Sequence, residues 1–282
     1  MNRGGICWKK LDWASMERLR VWSDVVLNDS QVSGPENNVG DPVHEFRLTI
    51  PGDPGQPRIW LSINALSVFV DSAGKPSVYW PMQERLWETA EKYAGWMNDG
   101  HPIEPIPIEE SAPWGRVRFL DLTNRTLGHA IAYEMAAAAQ YVDGIFLDEA
   151  HSTIADIRGR HPGVTITDES WCNGLKFILR QYATLMGGRP KPVVTNGTFG
   201  REHSAIVSGR FWQATAAADL DAKVADSEGA AFTMLHSCGD MATPAQLAAA
   251  CGRIEGLGGK ACYSWTPTNG PFVYDWIPEV GE

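Results

Sequence analysis

Short apolar runs that each close on a polar side chain recur from residue 116 onward, and this rhythm constrains the fold more than any other feature of the chain. The clearest is Tyr141-Val-Asp-Gly-Ile-Phe-Leu-Asp-Glu-Ala150, which starts on an Asp-Gly pair and stops on two adjacent carboxylates, Asp148 and Glu149. Arg116-Val-Arg-Phe-Leu-Asp121, Pro192-Val-Val-Thr-Asn196, Val207-Ser-Gly-Arg-Phe-Trp-Gln213 and Ala231-Phe-Thr-Met-Leu-His236 follow the same plan. Buried strands that deliver polar groups to their C-terminal ends are how a β/α barrel builds a catalytic site.

Helical segments separate these runs. Thr123-Asn124 caps a helix over Leu127–Tyr141, Glu169–Met186 is a second helix ended by Gly187-Gly188, and helices near Ala216–Ala225 and over Pro244–Ile254 follow. Lys260-Ala-Cys-Tyr-Ser-Trp265 is the last strand. Before residue 116 the pattern is less regular. Arg20–Leu27 reads as a strand, Asn28–Pro42 as a polar loop, and Arg58–Ile63 with Leu66–Val70 as one bent strand or a hairpin. A helix is expected from Met82 to Met97 with a stop at Asn98-Asp-Gly100, then an extended Pro-rich stretch from His101 to Pro107. Six strands in strict alternation plus two irregular ones make eight, and alternating βα units imply parallel pairing. The expectation is one α/β domain over residues 1–282, a single (β/α)8 TIM barrel with irregular N-terminal βα units. An open nucleotide-binding sheet fits less well, because no Gly-rich loop follows the first strand; Gly256-Leu-Gly-Gly259 precedes a strand and reads as a turn.

Composition narrows the function. A formal charge of -10 and a pI near 5.2 disfavour a nucleic-acid partner, which calls for a basic patch or stripe. The five cysteines are odd in number and lack a Cys-x-x-Cys pair, supporting neither a zinc site nor a disulfide framework. Asp148, Glu149 and His151 are clustered, yet no His-x-x-x-His or Asp-x-Asp spacing marks a metal site. No metal and no cofactor are expected. The N-terminus lacks an apolar core of signal-peptide length and no run approaches a membrane span, so no membrane partner is expected. A cytoplasmic protein, or a virion component released by lysis, fits these features. The oligomeric state is left open. Twelve Trp and seven Tyr either fill the core or offer flat faces to sugar rings.

The order Phe119-Leu-Asp-Leu-Thr-Asn124, helix, Asp143-Gly-Ile-Phe-Leu-Asp148, helix, Val193-Val-Thr-Asn-Gly197, then Ser208-Gly-x-x-x-Gln213 resembles the glycosyl hydrolases related to the endo-α-1,4-polygalactosaminidases, over about residues 116–215. The resemblance implies a (β/α)8 barrel in which Asp148 is catalytic and a Glu at a later strand end is its partner. That second position holds Gln213. Gln is isosteric with Glu but neither donates a proton as an acid nor accepts one as a base.

Glycoside hydrolysis needs two carboxyl groups flanking the scissile bond. Another carboxylate must therefore serve, or turnover is lost. Glu149 ranks first and Glu202 second as the partner of Asp148. Neighbours on an ideal strand face opposite ways, so Glu149 joins Asp148 only where the strand gives way to loop. Asp121 and Asp240 also lie at or beyond strand ends. Asn196, Gln213 and His236 can hydrogen-bond sugar hydroxyls, and Trp265 or Trp212 can stack on a pyranose, although Trp212 points away from the lumen if Gln213 points in. Asp143, at the opposite end of its strand, reads as structural. Two functions follow as expectations: a hydrolase acting on a polysaccharide or amino-sugar polymer, with Asp148 as nucleophile or base and Glu149 or another loop carboxylate as acid, or a catalytically impaired barrel that binds glycan or has a structural role, for instance in a virus particle.

Overall fold

The computed structural model describes residues 3–7, 18, 22–27, 57–64, 67–70, 75–76, 81–97, 116–203, 206–213 and 215–267. In chain order the elements are β1 (Gly4–Cys7), β2 (Asp24–Leu27), β3 (Arg58–Asn64), β4 (Ser67–Val70), α1 (Pro81–Lys92), β5 (Arg116–Phe119), α2 (Arg125–Ala138), β6 (Gly144–Asp148), α3 (Ala155–Arg160) and α4 (Asp168–Leu185). There follow β7 (Val193–Asn196), α5 (Phe199–Glu202), β8 (Gly209–Trp212), α6 (Leu220–Asp226), β9 (Phe232–Cys238), α7 (Pro244–Gly256) and β10 (Lys260–Thr266).

Eight of the strands form one sheet in the order β1-β2-β3-β6-β7-β8-β9-β10, and every ladder in it is parallel. A parallel bridge between Arg3 and Tyr263 brings the last strand beside the first, so the sheet curls into a nearly closed barrel with helices between its strands. The expected barrel is present, but its membership differs from the expectation. Residues 116–121 do not contribute a barrel strand: β5 pairs antiparallel with β4 in a separate two-stranded sheet. The physical reason lies in the sequence. A parallel barrel strand is covered on both faces and reads as a near-continuous apolar run, whereas β5 carries two arginines in four residues, Arg116 and Arg118, and Arg118 lies against the Trp96 ring at 3.8 Å and pairs with Glu91. The eighth barrel strand is β1, a Gly-Gly segment with little strand propensity. Residues 58–70 are neither one bent strand nor a hairpin, since β3 stays in the barrel while β4 leaves it.

The helices follow their punctuation. Asn124 caps α2 by accepting from the amides of Thr126 and Leu127, Thr243 and Gln246 form a reciprocal capping box on α7, and α4 ends before Gly187 and Gly188, both at positive φ. The helix expected over 82–97 ends at Lys92 instead, because Ala94 turns into the left-handed region at φ 51°. The segments 28–42 and 101–107 lie outside the described residues.

Strand alternation divides the core. Val26, Trp60, Phe146, Val194, Phe211, Phe232, Met234 and Cys262 fill the lumen, while Leu147, Val193, Leu235 and Tyr263 pack outward under the helices. The N-terminal end is plugged by Asp24, fully buried, which accepts from the Trp60 indole at 2.8 Å and pairs with Arg58 at 2.9 Å. The Asp143-Gly144 pair serves this packing. Asp143 accepts from the Ile59 amide at 2.8 Å, and a Cβ on Gly144 would stand 2.3 Å from the Trp60 ring. Asp143 is thus bonded to the neighbouring strand's backbone at the end of the barrel away from the carboxylates.

Candidate active site

Because even-numbered residues of β6, β7 and β9 face the lumen, the top layer above the apolar filling is polar. It holds Asp148, Asn196 and His236, with Gln213 just past the end of β8. Asn196 links the members. Its Nδ2 donates to Asp148 Oδ1 at 2.8 Å and to Gln213 Oε1 at 3.0 Å, which engages both amide hydrogens.

Glu149 reaches this layer through a backbone device that periodicity does not reveal. It sits at φ 55°, in the left-handed region that a non-glycine residue enters at a cost of about 1–2 kcal/mol. The pleat is broken immediately after Asp148, and the Glu149 amide donates back to Asp148 Oδ1 at 3.0 Å. Neighbouring turns hold this conformation. The Ala150 amide donates to the Asn196 carbonyl and the Phe199 amide to the Ala150 carbonyl. Gly197 packs so closely beneath Ala150 that a Cβ would lie 2.5 Å from its carbonyl oxygen, and the Ser152 amide bonds Thr198 Oγ1 at 2.8 Å. The Trp171 indole donates to the His151 carbonyl at 2.8 Å, anchoring the loop to α4.

The electrostatics follow from this geometry. Burial, reinforced by the negative charge of Glu149, pushes the Asp148 carboxyl up to about 7, against the opposing effects of the Asn196 hydrogen bond, the Glu149 amide and His151. At neutral pH such a group is poised between donor and acceptor of a proton. His151 Nε2 lies 3.0 Å from Glu149 Oε2, and this bond raises the imidazole above its ordinary value although burial opposes it. His236 is fully buried and stacks at 6.2 Å on Phe211; burial lowers it to about 4, so it is neutral at physiological pH.

The structure brings together Asp148, Glu149, Asn196 and Gln213, with His236 in the same lumen-facing register. It places the other candidates elsewhere. Glu202 is exposed at the end of α5, where its charge acts on Cys172 and His203. Asp121 follows β5, off the barrel, and accepts from the amide and hydroxyl of Thr123. Asp240 is exposed in the turn after β9. Trp265 and Trp212 face outward, packed against the cluster beneath α6 and α7, and the Trp212 indole donates to Ser227 at 3.3 Å. Two neighbours were not singled out from sequence as members of this site. His151 is the partner of Glu149, and Asn64 lies beside Asp148 in register while its side chain accepts from the Ser67 amide at 2.9 Å. Asn64 ends an apolar run like the other site residues, which was the available signal. Among the described residues no group of three or more His, Cys, Asp or Glu is placed to hold a metal ion, and no helix is long and apolar enough to cross a membrane.

No family model matches the chain, and no curated protein matches it in sequence. In three dimensions it is similar to the glycoside hydrolase domain of PelA from Pseudomonas aeruginosa, with 12% identity, 98% of this chain and 96% of that one covered, and a TM-score of 0.55. A variant of the same domain gives 13% identity, the same coverage and a TM-score of 0.54. The α-galactosidase AgaA from Geobacillus stearothermophilus overlaps less, with 9% identity, 94% of this chain against 39% of that one, and a TM-score of 0.47. The likeness to PelA spans nearly all of both chains and shows a barrel of the same fold. At these identities it defines the fold alone.

Proposed function

We propose that the chain hydrolyses glycosidic bonds in a polysaccharide, with Asp148 as the carboxyl that gives a proton to the leaving oxygen and recovers it from water. The observation that carries this reading is a lumen-facing carboxyl raised to about 7 by burial and by Glu149, at the strand-end position where barrels place catalytic groups. Glu149 is the second carboxylate, kept in place by His151. The motif order around Asp148 favours an amino-sugar polymer as the substrate class, in line with the polygalactosaminidase-related family it resembles. The test is product release from a panel of bacterial surface and amino-sugar polysaccharides by the wild type, Asp148→Asn and Gln213→Glu. Release by the wild type that disappears in Asp148→Asn is expected; undiminished release in that variant refutes the assignment.

Gln213 favours a second reading, a barrel that binds glycan without turning it over. That reading expects retained binding without product in the wild type, and activity only in Gln213→Glu.

A further inference from the structure

Asp148 and Glu149 leave one strand end together, and a carboxyl beside a second carboxylate holds its proton more tightly the less that neighbour's charge is offset. Among the described residues, the groups that act on Asp148 are the charge and amide of Glu149, the Asn196 amide and His151, and His151 is the cation of that set. The loop aims its ring at Glu149. The His151 amide donates to the Glu149 carbonyl at 3.0 Å, the Trp171 indole of α4 donates to the His151 carbonyl at 2.8 Å, and the Ser152 amide bonds Thr198 Oγ1. With its backbone fixed on both sides, His151 sets Nε2 3.0 Å from Glu149 Oε2. The two side chains remain 41% and 42% exposed, so the imidazole exchanges its proton with solvent at the rim. Three further groups surround the loop. Asp156 on α3 adds to the negative field on His151, Asp168 at the head of α4 is matched by Arg158 at 2.7 Å, and His236 on β9 is neutral at physiological pH.

We propose, building on the hydrolase reading above, that His151 is a positioning residue: its ring holds Glu149 beside Asp148, and its positive charge offsets that of Glu149 so that Asp148 can release and recover a proton within one turnover. His151 acts through Glu149 Oε2 and touches neither substrate nor reacting oxygen in this role. The proton that Asp148 gives to the leaving oxygen and takes back from water does not pass through the imidazole. The two groups are linked all the same. A charged His151 favours ionised Asp148, and ionised Asp148, with Glu149 and Asp156, favours the proton on His151. By thermodynamic reciprocity, neutralising either one shifts the other by a similar amount. Loss of the imidazolium raises Asp148, and loss of the Asp148 charge lowers His151. A loop histidine that only packs against its neighbours produces no such pair of shifts. Two substitutions separate the hydrogen bond from the charge: His151→Gln keeps a donor for Glu149 and removes the charge, whereas His151→Ala removes both.

The test titrates the wild type, His151→Gln, His151→Ala and Asp148→Asn by NMR, reading the Asp148 carboxyl carbon and the His151 ring, and needs no substrate. Asp148 is expected to titrate about half a pH unit higher in both His151 variants, and His151 about half a unit lower in Asp148→Asn. An Asp148 titration unchanged to within about 0.1 unit in both His151 variants overturns the inference and leaves the hydrolase reading intact. Turnover is then measured on any polysaccharide of the panel that the wild type degrades. The alkaline limb of kcat should move up by the same half unit, roughly, in His151→Gln, because the acid must be protonated to act. His151→Ala should lower kcat at least about tenfold with KM changed less than about twofold, and His151→Gln should recover most of that loss. A fall in kcat with an unmoved alkaline limb marks a structural histidine and overturns the inference. Absence of product from the whole panel overturns the hydrolase reading and the catalytic half of the proposal with it, while the paired NMR shifts decide the coupling on their own.

Discussion

Replacing Asp148 by Asn should stabilise the protein in mildly alkaline solution and leave its stability unchanged in acid. The Asp148 carboxyl is raised from 3.8 to about 7, first by burial and then by the charge of Glu149. Between those two values the folded chain retains a proton that the unfolded chain has released, so unfolding free energy falls by about 1.4 kcal/mol per pH unit across the window. The penalty is absent below the unfolded value and complete above the folded one, where it amounts to about 4 kcal/mol. Asn keeps the shape of the side chain and an oxygen to accept from Asn196 and the Glu149 amide, but carries no charge to desolvate. A gain of about 2–4 kcal/mol is therefore expected near pH 8 and about zero near pH 4. Urea denaturation of both proteins at a series of pH values measures this directly. A stability difference that does not change with pH, or a less stable variant near pH 8, would show that Asp148 is not held in a proton-retaining environment.

Asn196→Ala removes a hydrogen bond that favours the ionised form of Asp148, so the Asp148 carboxyl should titrate above its wild-type value of about 7; carbon-detected NMR of the carboxyl reads the shift. His236, lowered from 6.5 to about 4, should show a neutral imidazole in NMR spectra above about pH 5. Its depressed value also means that the unfolded chain binds the extra proton first, so stability should fall by about 3 kcal/mol as pH drops through that window. Gly144→Ala drives a Cβ into the Trp60 ring and should cost about 1–3 kcal/mol in urea denaturation, whereas Gly229→Ala, with nothing within 4 Å but a backbone at φ 75°, should cost about 1 kcal/mol through backbone strain alone. Arg58→Met leaves the buried Asp24 carboxylate without its cation and should destabilise by about 3 kcal/mol, with Asp24→Asn in the same background recovering part of the loss.

How far the site could be read from sequence depended on whether its residues obeyed strand periodicity. Asp148, Asn196 and His236 were legible because each extends an apolar run by a polar group of lumen-facing parity, and the same parity turned Trp212 outward once Gln213 faced in. The nearness of Glu149 to Asp148 was legible only as a condition, that strand give way to loop. What meets the condition is a left-handed residue, and no propensity marks Glu for that conformation. Arg116–Asp121 misled for the converse reason. It has the length and polar ending of a barrel strand, and a buried arginine does not by itself exclude it, since β8 carries Arg210 within the barrel; what separates it is its antiparallel pairing with β4 and the contacts of Arg118 with Trp96 and Glu91. β1 was missed because its place is set by its neighbours, Asp24–Leu27 on one side and Tyr263 on the other, rather than by its Gly-Gly sequence.

The segment from Asp143 to Glu149 shows why this barrel can keep its architecture whether or not it turns over substrate. Its first two residues serve packing alone, Asp143 by bonding the Ile59 amide and Gly144 by admitting the Trp60 ring. Ile145, Phe146 and Leu147 are buried on alternate faces. Only at Asp148 does the chain begin to spend stability: a carboxyl whose ionisation is opposed, then a strained Glu149, then a turn that needs Gly197 beneath it. The buried carboxyl and the left-handed Glu149 cost about 1–4 kcal/mol each. Strain concentrated at the end of a strand whose other end is well satisfied is the distribution expected where a site is being held in place. A barrel kept only as scaffold gains nothing from a proton-retaining carboxyl beside a left-handed Glu, and Asp148→Asn with Glu149→Gly would relieve both costs. Gln213 does not contradict this argument, because its oxygen is bonded to the same Asn196 amide that bonds Asp148. The amide is built into the site's hydrogen-bond network.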